Sequence, residues 1–258
     1  MKLYLRFFGI HVRSAMQYKT SFVLLFIGQI LAAFSTFLGI YFLFDRFGSV
    51  EGFSYADVLL CYAIVQLSFS LAECFFRGFD RFPATILKGD FERMLLRPRG
   101  TIFQVLCQNL ELTRLGRSLQ AAVIFAYAIP KAAVEWTPDR VAVLLLMLVS
   151  GIVLFAALFL VYASVCFFTI DSIEFMNIFT DGGREFGSYP LSIYGEVVLK
   201  FMTFIIPMAC VQYYPLLYLL GRANSPLYAF TPLAAIPFAC AAYLFWRFGQ
   251  RHYKPINS

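Results

Sequence analysis

Long apolar runs separated by short polar breaks govern the chain. Six runs approach the roughly 20 residues that cross a hydrocarbon core: 21–44, 55–76, about 112–129, 141–168, about 197–214 and about 227–246. The third is the least hydrophobic because Glu111, Arg114 and Arg117 stand at its start, and Pro207 is expected to bend the fifth. Ahead of the first run, residues 1–20 place Leu3, Phe7, Ile10 and Ser14 on one helical side, while Lys2, Arg6, Arg13 and Lys19 can reach anionic headgroups. This spacing predicts an amphipathic helix at the membrane interface. It contains no short apolar core ending in a small-residue cleavage site, so no removable signal is expected.

The polar breaks carry the next layer. Residues 77–100, RGFDRFPATILKGDFERMLLRPRG, form the longest charge-rich interruption. Pro83 suits a first helical turn, 84–96 can run as one helix with a weak point at Gly89, and Pro98 with Gly100 stops it. Ile86, Phe91, Met94 and Leu95 offer an apolar side; Lys88, Asp90, Glu92, Arg93 and Arg97 stay polar. Physics alone leaves two readings open: a surface helix presented to a soluble partner, or a solvated loop that fixes topology. In the second break, 171–195, Asp171 and Glu174 fall one turn apart, and Gly182 and Gly183 followed by Pro190 predict a sharp change of direction. Within 213–225, the apolar piece 216–220 is too short to cross alone. It fits either a dip into the outer leaflet or an ordinary helix end in aromatic belt residues.

Composition turns these runs into a class. A chain 60% hydrophobic and 14% charged, with a mean hydropathy of +0.73, is expected to be an all-α polytopic membrane protein. Its net charge of +6 could suggest nucleic acid, but the basic residues do not gather in one polar domain. Placing both termini in the cytoplasm leaves only Arg46, Lys131, Arg140 and Arg222 outside and the other 17 of the 21 Lys and Arg inside. The positive-inside rule therefore puts 77–100 in the cytoplasm. With no fixed-period repeat and no low-complexity linker, residues 1–258 read as a single transmembrane domain.

Chemistry is sparse. The six cysteines lie in or beside apolar segments without a C-x-x-C pair, and His11 and His252 sit near opposite ends, so neither disulfides nor a metal site is expected. Asp171, Glu174, Asp181, Arg184 and Glu185 are the densest polar set, yet they lack the spacing of a metal-phosphate site. No G-x-x-x-x-G-K-[ST] loop is present, so the chain should not hydrolyse ATP itself. Glu111, Arg114 and Arg117, three apart on one face at the membrane boundary, read either as a gate or as a charge pair with a spare arginine snorkelling to headgroups. Glu196 and Lys200 form a similar pair opening the fifth run.

Three segments together resemble one family. GDFERMLLRPRGTIFQVL at 89–106, DSIEFMNIFTDGGREFGSYPLSIYG at 171–195 and FIIPMACVQYYPLLYLLGR at 204–222 are similar to the ABC-2 type permeases, in particular the short six-span subgroup usually encoded beside a second permease and an ATPase. The resemblance implies six transmembrane helices, an N-terminal interfacial helix over 1–20, and a cytoplasmic coupling helix between spans two and three that docks on a nucleotide-binding subunit. On that basis Arg81, Lys88, Asp90, Phe91, Arg93, Met94, Leu95 and Arg97 are the ATPase-coupling candidates. It also implies a short re-entrant element over 213–225, and a transport path between two permease chains that would involve Gln29, Phe34, Ser35, Gln66, Phe69 and Ser70. The expected partners are ATPase subunits carrying ATP and Mg, the lipid bilayer, and a second permease that is either a different paralogous chain or another copy of this one. This chain itself would hold no cofactor and bind no nucleic acid. The expected function is the permease subunit of an exporter of amphiphilic or hydrophobic cargo in a bacterial inner membrane. An ion-coupled carrier, or a scaffold that only recruits an ATPase, stands as the alternative.

Overall fold

The computed structural model describes residues 2–108, 111–169, 173–223 and 225–253, with the side chains of 2–5 and 173–177 left aside. The described residues are helical throughout, apart from loops and one isolated bridge between Val50 and Phe53. Helix α1 (Lys2–Gln17) is followed after Tyr18 by α2 (Lys19–Phe47). Helix α3 (Tyr55–Phe76) begins at a reciprocal cap: the Ser54 hydroxyl accepts from the Asp57 amide and the Asp57 carboxylate accepts from the Ser54 amide. It is the central helix, packing on α7 (Leu115–Ala128) and α8 (Pro138–Val165), and most of its side chains are buried.

Between α3 and α7 come three short pieces: α4 (Phe82–Leu87), α5 (Asp90–Leu95) and α6 (Thr101–Gln108). The single helix expected over 84–96 is two, because Gly89 adopts φ 69°, a left-handed conformation that ends one helix and starts the next. The described chain closes with α9 (Ile173–Gly187), α10 (Glu196–Phe204), a π turn Ala209–Tyr213 leading into α11 (Tyr214–Leu219), a 3-10 stretch Pro226–Ala234 and α12 (Ala235–His252). Gly182 and Gly183 lie inside α9 and do not break it; the helix ends at Gly187, and Gly195, with φ 84°, stands at the start of α10. Asp171 lies outside the described residues, as does the side chain of Glu174.

Among the described residues four segments are long and apolar enough to cross a membrane: Lys19–Phe47, Tyr55–Leu87, Pro138–Val165 and Pro226–His252. A fifth is available if Glu196–Phe204 and Ala209–Leu219 count as one span, although the two halves meet at 95° around Pro207. The predicted bend is therefore closer to a corner. Residues 216–219 continue the helix from Ala209, and the bent pair fits either a broken span or a re-entrant loop. The run expected to give the third crossing falls on α7, whose 14 residues rise only about 21 Å, short of a core about 30 Å thick.

Two apolar cores stack along α3. One gathers α3, α8, α12 and the α4–α5 pair; the other gathers α2, the start of α3, α7, the start of α8 and α11. Helix α2 stands apart from both for most of its length, burying only Ala33, Ile40 and Phe44.

Candidate functional site

The most concentrated polar chemistry lies where α3 hands over to α4. Glu73 sits three residues before the end of α3 with its side chain fully buried. An ionised carboxylate there is costly unless it is paired and hydrogen-bonded. Three arginines provide that pairing. Arg77, one turn further along, binds Oε1; Arg117 of α7 places Nη1 2.9 Å from Oε2; and Arg114 approaches Oε1 at 3.8 Å. Glu111 receives Arg114 Nε at 3.0 Å on one oxygen and Arg81 Nη2 at 3.2 Å on the other. Arg77 Nε also reaches Asp80 at 2.9 Å. Gln29 of α2 accepts from Arg117 Nη2 at 2.8 Å and from Arg114 Nη1 at 3.3 Å.

One joint thus ties α2, α3, the turn Arg77–Phe79 and the start of α7. Four guanidinium groups face three carboxylates within it; Asp181 and Arg184 of α9 lie within electrostatic reach, and Arg184 itself pairs with Glu185. Burial alone would raise the Glu111 carboxyl. Hydrogen bonds from Arg114 and Arg81 and the charges of Arg114 and Arg77 outweigh it, so its pKa falls below the ordinary glutamate value. The close approach that permits the joint is made at Gly116, where an added Cβ would stand 2.6 Å from the backbone oxygen of Phe26 in α2.

Beneath α4 and α5 lies an aromatic cluster. Phe82 meets Trp246 at 4.9 Å, Phe167 at 5.1 Å and Phe91 at 5.2 Å between ring centroids, and Phe91 meets Tyr253 at 5.1 Å. Edge-to-face packing of this kind fixes relative orientation as well as burying area. Polar clips reinforce it: Trp246 Nε1 donates to Thr101 Oγ1 at 3.3 Å, and Gln104 Nε2 donates to the carbonyls of Met94 and Arg99, both at 2.9 Å. The α4–α5 element is therefore fixed to the ends of α8 and α12, and through Arg81 to the charge joint.

Placed on this frame, the sequence candidates divide. Arg81, Lys88, Arg93, Leu95 and Arg97 are exposed, and Asp90 accepts from Arg93 at 3.4 Å. Phe91 and Met94 are buried in the chain's own core, so the apolar side expected to include Leu95 faces inward without it. Arg114 pairs with Glu111, which stands just ahead of the helix, whereas Arg117 binds Glu73 and Gln29 and is engaged rather than a spare arm. The six path candidates are not gathered. Gln29 belongs to the joint, and Phe34 and Ser35 face outward on α2. Gln66, Phe69 and Ser70 are enclosed: Gln66 donates to the Tyr62 hydroxyl at 3.3 Å, Ser70 donates to the Leu67 carbonyl at 3.2 Å, and Phe69 packs 5.0 Å from Phe155. Glu73 and the aromatic cluster escaped the sequence reading. A lone carboxylate inside an apolar run, with an arginine four residues on, was the available signal.

Among the described residues no group of three or more His, Cys, Asp or Glu is arranged to hold a metal ion. Comparison with curated proteins found no match, and comparison with solved structures found none. A family model described as ABC-2 family transporter protein matches residues 30–255. The chain therefore belongs to the ABC-2 transporter family, as a transmembrane permease that serves transport rather than catalysis.

Proposed function

We propose that this permease is the membrane-spanning subunit of an ATP-driven exporter, with ATP and Mg held by separate nucleotide-binding subunits. Residues 1–258 act as one permease domain of six crossings with both ends in the cytoplasm, α7 serving as a shortened third crossing. The partner across the transport path is a second permease, a paralogous chain or another copy, in a bacterial inner membrane. The cargo is amphiphilic or hydrophobic, in keeping with the apolar outward face of α2 at Phe34 and its neighbours.

The observation that carries this reading is the two-sided character of the α4–α5 element. Its rim of Lys88, Arg93, Leu95, Leu96 and Arg97 is exposed, and Leu96 is 87% accessible. Its base is locked by rings to the end of α8 and to α12, and by the Arg81–Glu111 ion pair to the start of α7. A push on the rim therefore moves a packed body rather than deforming a loop. The decisive experiment reconstitutes the full complex with Arg93→Glu and Arg97→Glu combined. Cargo movement should be lost while basal ATP hydrolysis and membrane insertion persist; unaltered transport would overturn the coupling role.

A further inference from the structure

A cavity of about 380 Å³ opens beside the charge joint, between α1, the first turns of α2 and residues 111–114. Its walls differ in chemistry. Arg81 and Arg114 supply cationic groups, with the Glu111 carboxylate that both contact, Gln29 and Thr113 beside them, while Phe22, Leu25, Leu112 and Ala15 supply apolar surface. His11 of α1 completes the rim, held in place by a contact between its Nε2 and the Cys107 carbonyl at 3.0 Å. We propose that this cavity is a binding site for the phosphate headgroup of an anionic phospholipid.

Three observations converge on that ligand. The joint carries one guanidinium more than it has carboxylates, and the side chain of Arg81 is 62% accessible. Among the described residues the Arg81 side chain meets one partner, Glu111, with one of the five N–H donors of its guanidinium. A planar fork with unused donors suits a phosphodiester better than a neutral or cationic group. The cavity also lies at the first turns of the apolar span that starts at Lys19, the level at which headgroups meet hydrocarbon. Leu25, 55% exposed on the cavity's edge, begins an outward apolar face of α2 along which an acyl chain can run. That apolar wall is why the phosphate is assigned to a lipid rather than to a soluble anion. A bound headgroup would share Arg81 and Arg114 with Glu111, placing the lipid in contact with the joint itself.

The test is retention of phosphatidylglycerol against phosphatidylcholine of identical acyl chains by the detergent-purified full chain, read by native mass spectrometry. Preference for phosphatidylglycerol should be roughly tenfold, the scale of one charge-assisted contact, and Arg81→Gln should bring it close to parity. Lys200→Gln, which removes an exposed cation elsewhere, should leave the preference intact. Equal retention of the two lipids, or an equal loss with Lys200→Gln, overturns the site. Displacement of phosphatidylglycerol by inorganic phosphate at matching concentration overturns the lipid assignment in favour of a soluble phosphate. Independently of any variant, a phosphatidylglycerol carrying a photoreactive headgroup should label peptides containing His11, Arg81 or Thr113; labelling confined to other regions also overturns it.

Discussion

The two ends of α3 each bury a carboxylate, and they do so in opposite ways. Asp57 is 1% exposed, but its partners are nearby: it caps its own helix with Ser54 and meets a single cation, Arg222, at 3.3 Å, whose side chain is 41% exposed. Arg222 also lies over the Phe53 ring and donates to the Gly52 carbonyl at 3.0 Å. Glu73 is bound by Arg77, the C-cap of its own helix, but that contact does not suffice. It depends on arginines from its own last turn and from α7, which Gln29 of α2 steadies in turn. One helix thus has an end where a local cap is joined by one distant cation and an end stabilised by agreement among several elements.

That contrast is open to direct attack. Glu73→Gln should produce the largest effect, because it leaves buried guanidinium groups short of a counter-charge; a loss of about 3–5 kcal/mol is expected in denaturant unfolding of the detergent-solubilised protein. Asp57→Asn should cost only about 1 kcal/mol, as for a weakened helix cap. Equal losses would erase the distinction between the two ends. Phe91→Ala should cost roughly 3 kcal/mol by opening a cavity in the ring cluster, and α4–α5 should become readily cleaved by protease while α2 and α3 stay protected. Gly116→Ala should cost about 1–3 kcal/mol, since its methyl meets backbone at Phe26 and must spread α2 from α7. Arg222→Gln should cost about 1–2 kcal/mol, because it withdraws the cation from the buried Asp57 carboxylate, which keeps its Ser54 contact.

The smallest effect is a titration. The pKa of Glu111 lies below its unfolded value, so its contribution is fully present above the ordinary glutamate pKa of about 4.3 and is lost as pH falls through the lower folded value. Unfolding curves measured from pH 7 downward should therefore lose part of their acid sensitivity in Glu111→Gln. An unchanged profile would remove Glu111 from the joint's energetics.

The sequence was most legible where chemistry is local. Helix α3 runs over Tyr55–Phe76 as its apolar run predicts, since Ser54 and Asp57 write its start within four residues. Arg114 could be paired with Glu111 by spacing alone. Glu73 could not be weighted in the same way, because Arg117 lies 44 positions away and only packing brings it within reach. Phe91 and Met94 read as one face of a surface helix; whether that face met a partner or Trp246 depended on α12, more than 150 residues later in the chain. The split at Gly89 was signalled by its residue type, but the shortness of α7 and the 95° corner were not, because hydropathy measures how oily a stretch is and not whether its helix stays straight.

Helix α2 carries a practical consequence. With 29 residues and only three of them buried, it is held at a few points, by Gln29 in the charge joint, Phe26 against Gly116 and the buried Ala33, Ile40 and Phe44, while most of its surface faces outward. Whatever surrounds it, acyl chains or a neighbouring subunit, acts as the missing part of its folding environment. A short-chain detergent that strips this surrounding should release α2 first, and preparations judged sound by the integrity of α3 and α8 could already have lost it.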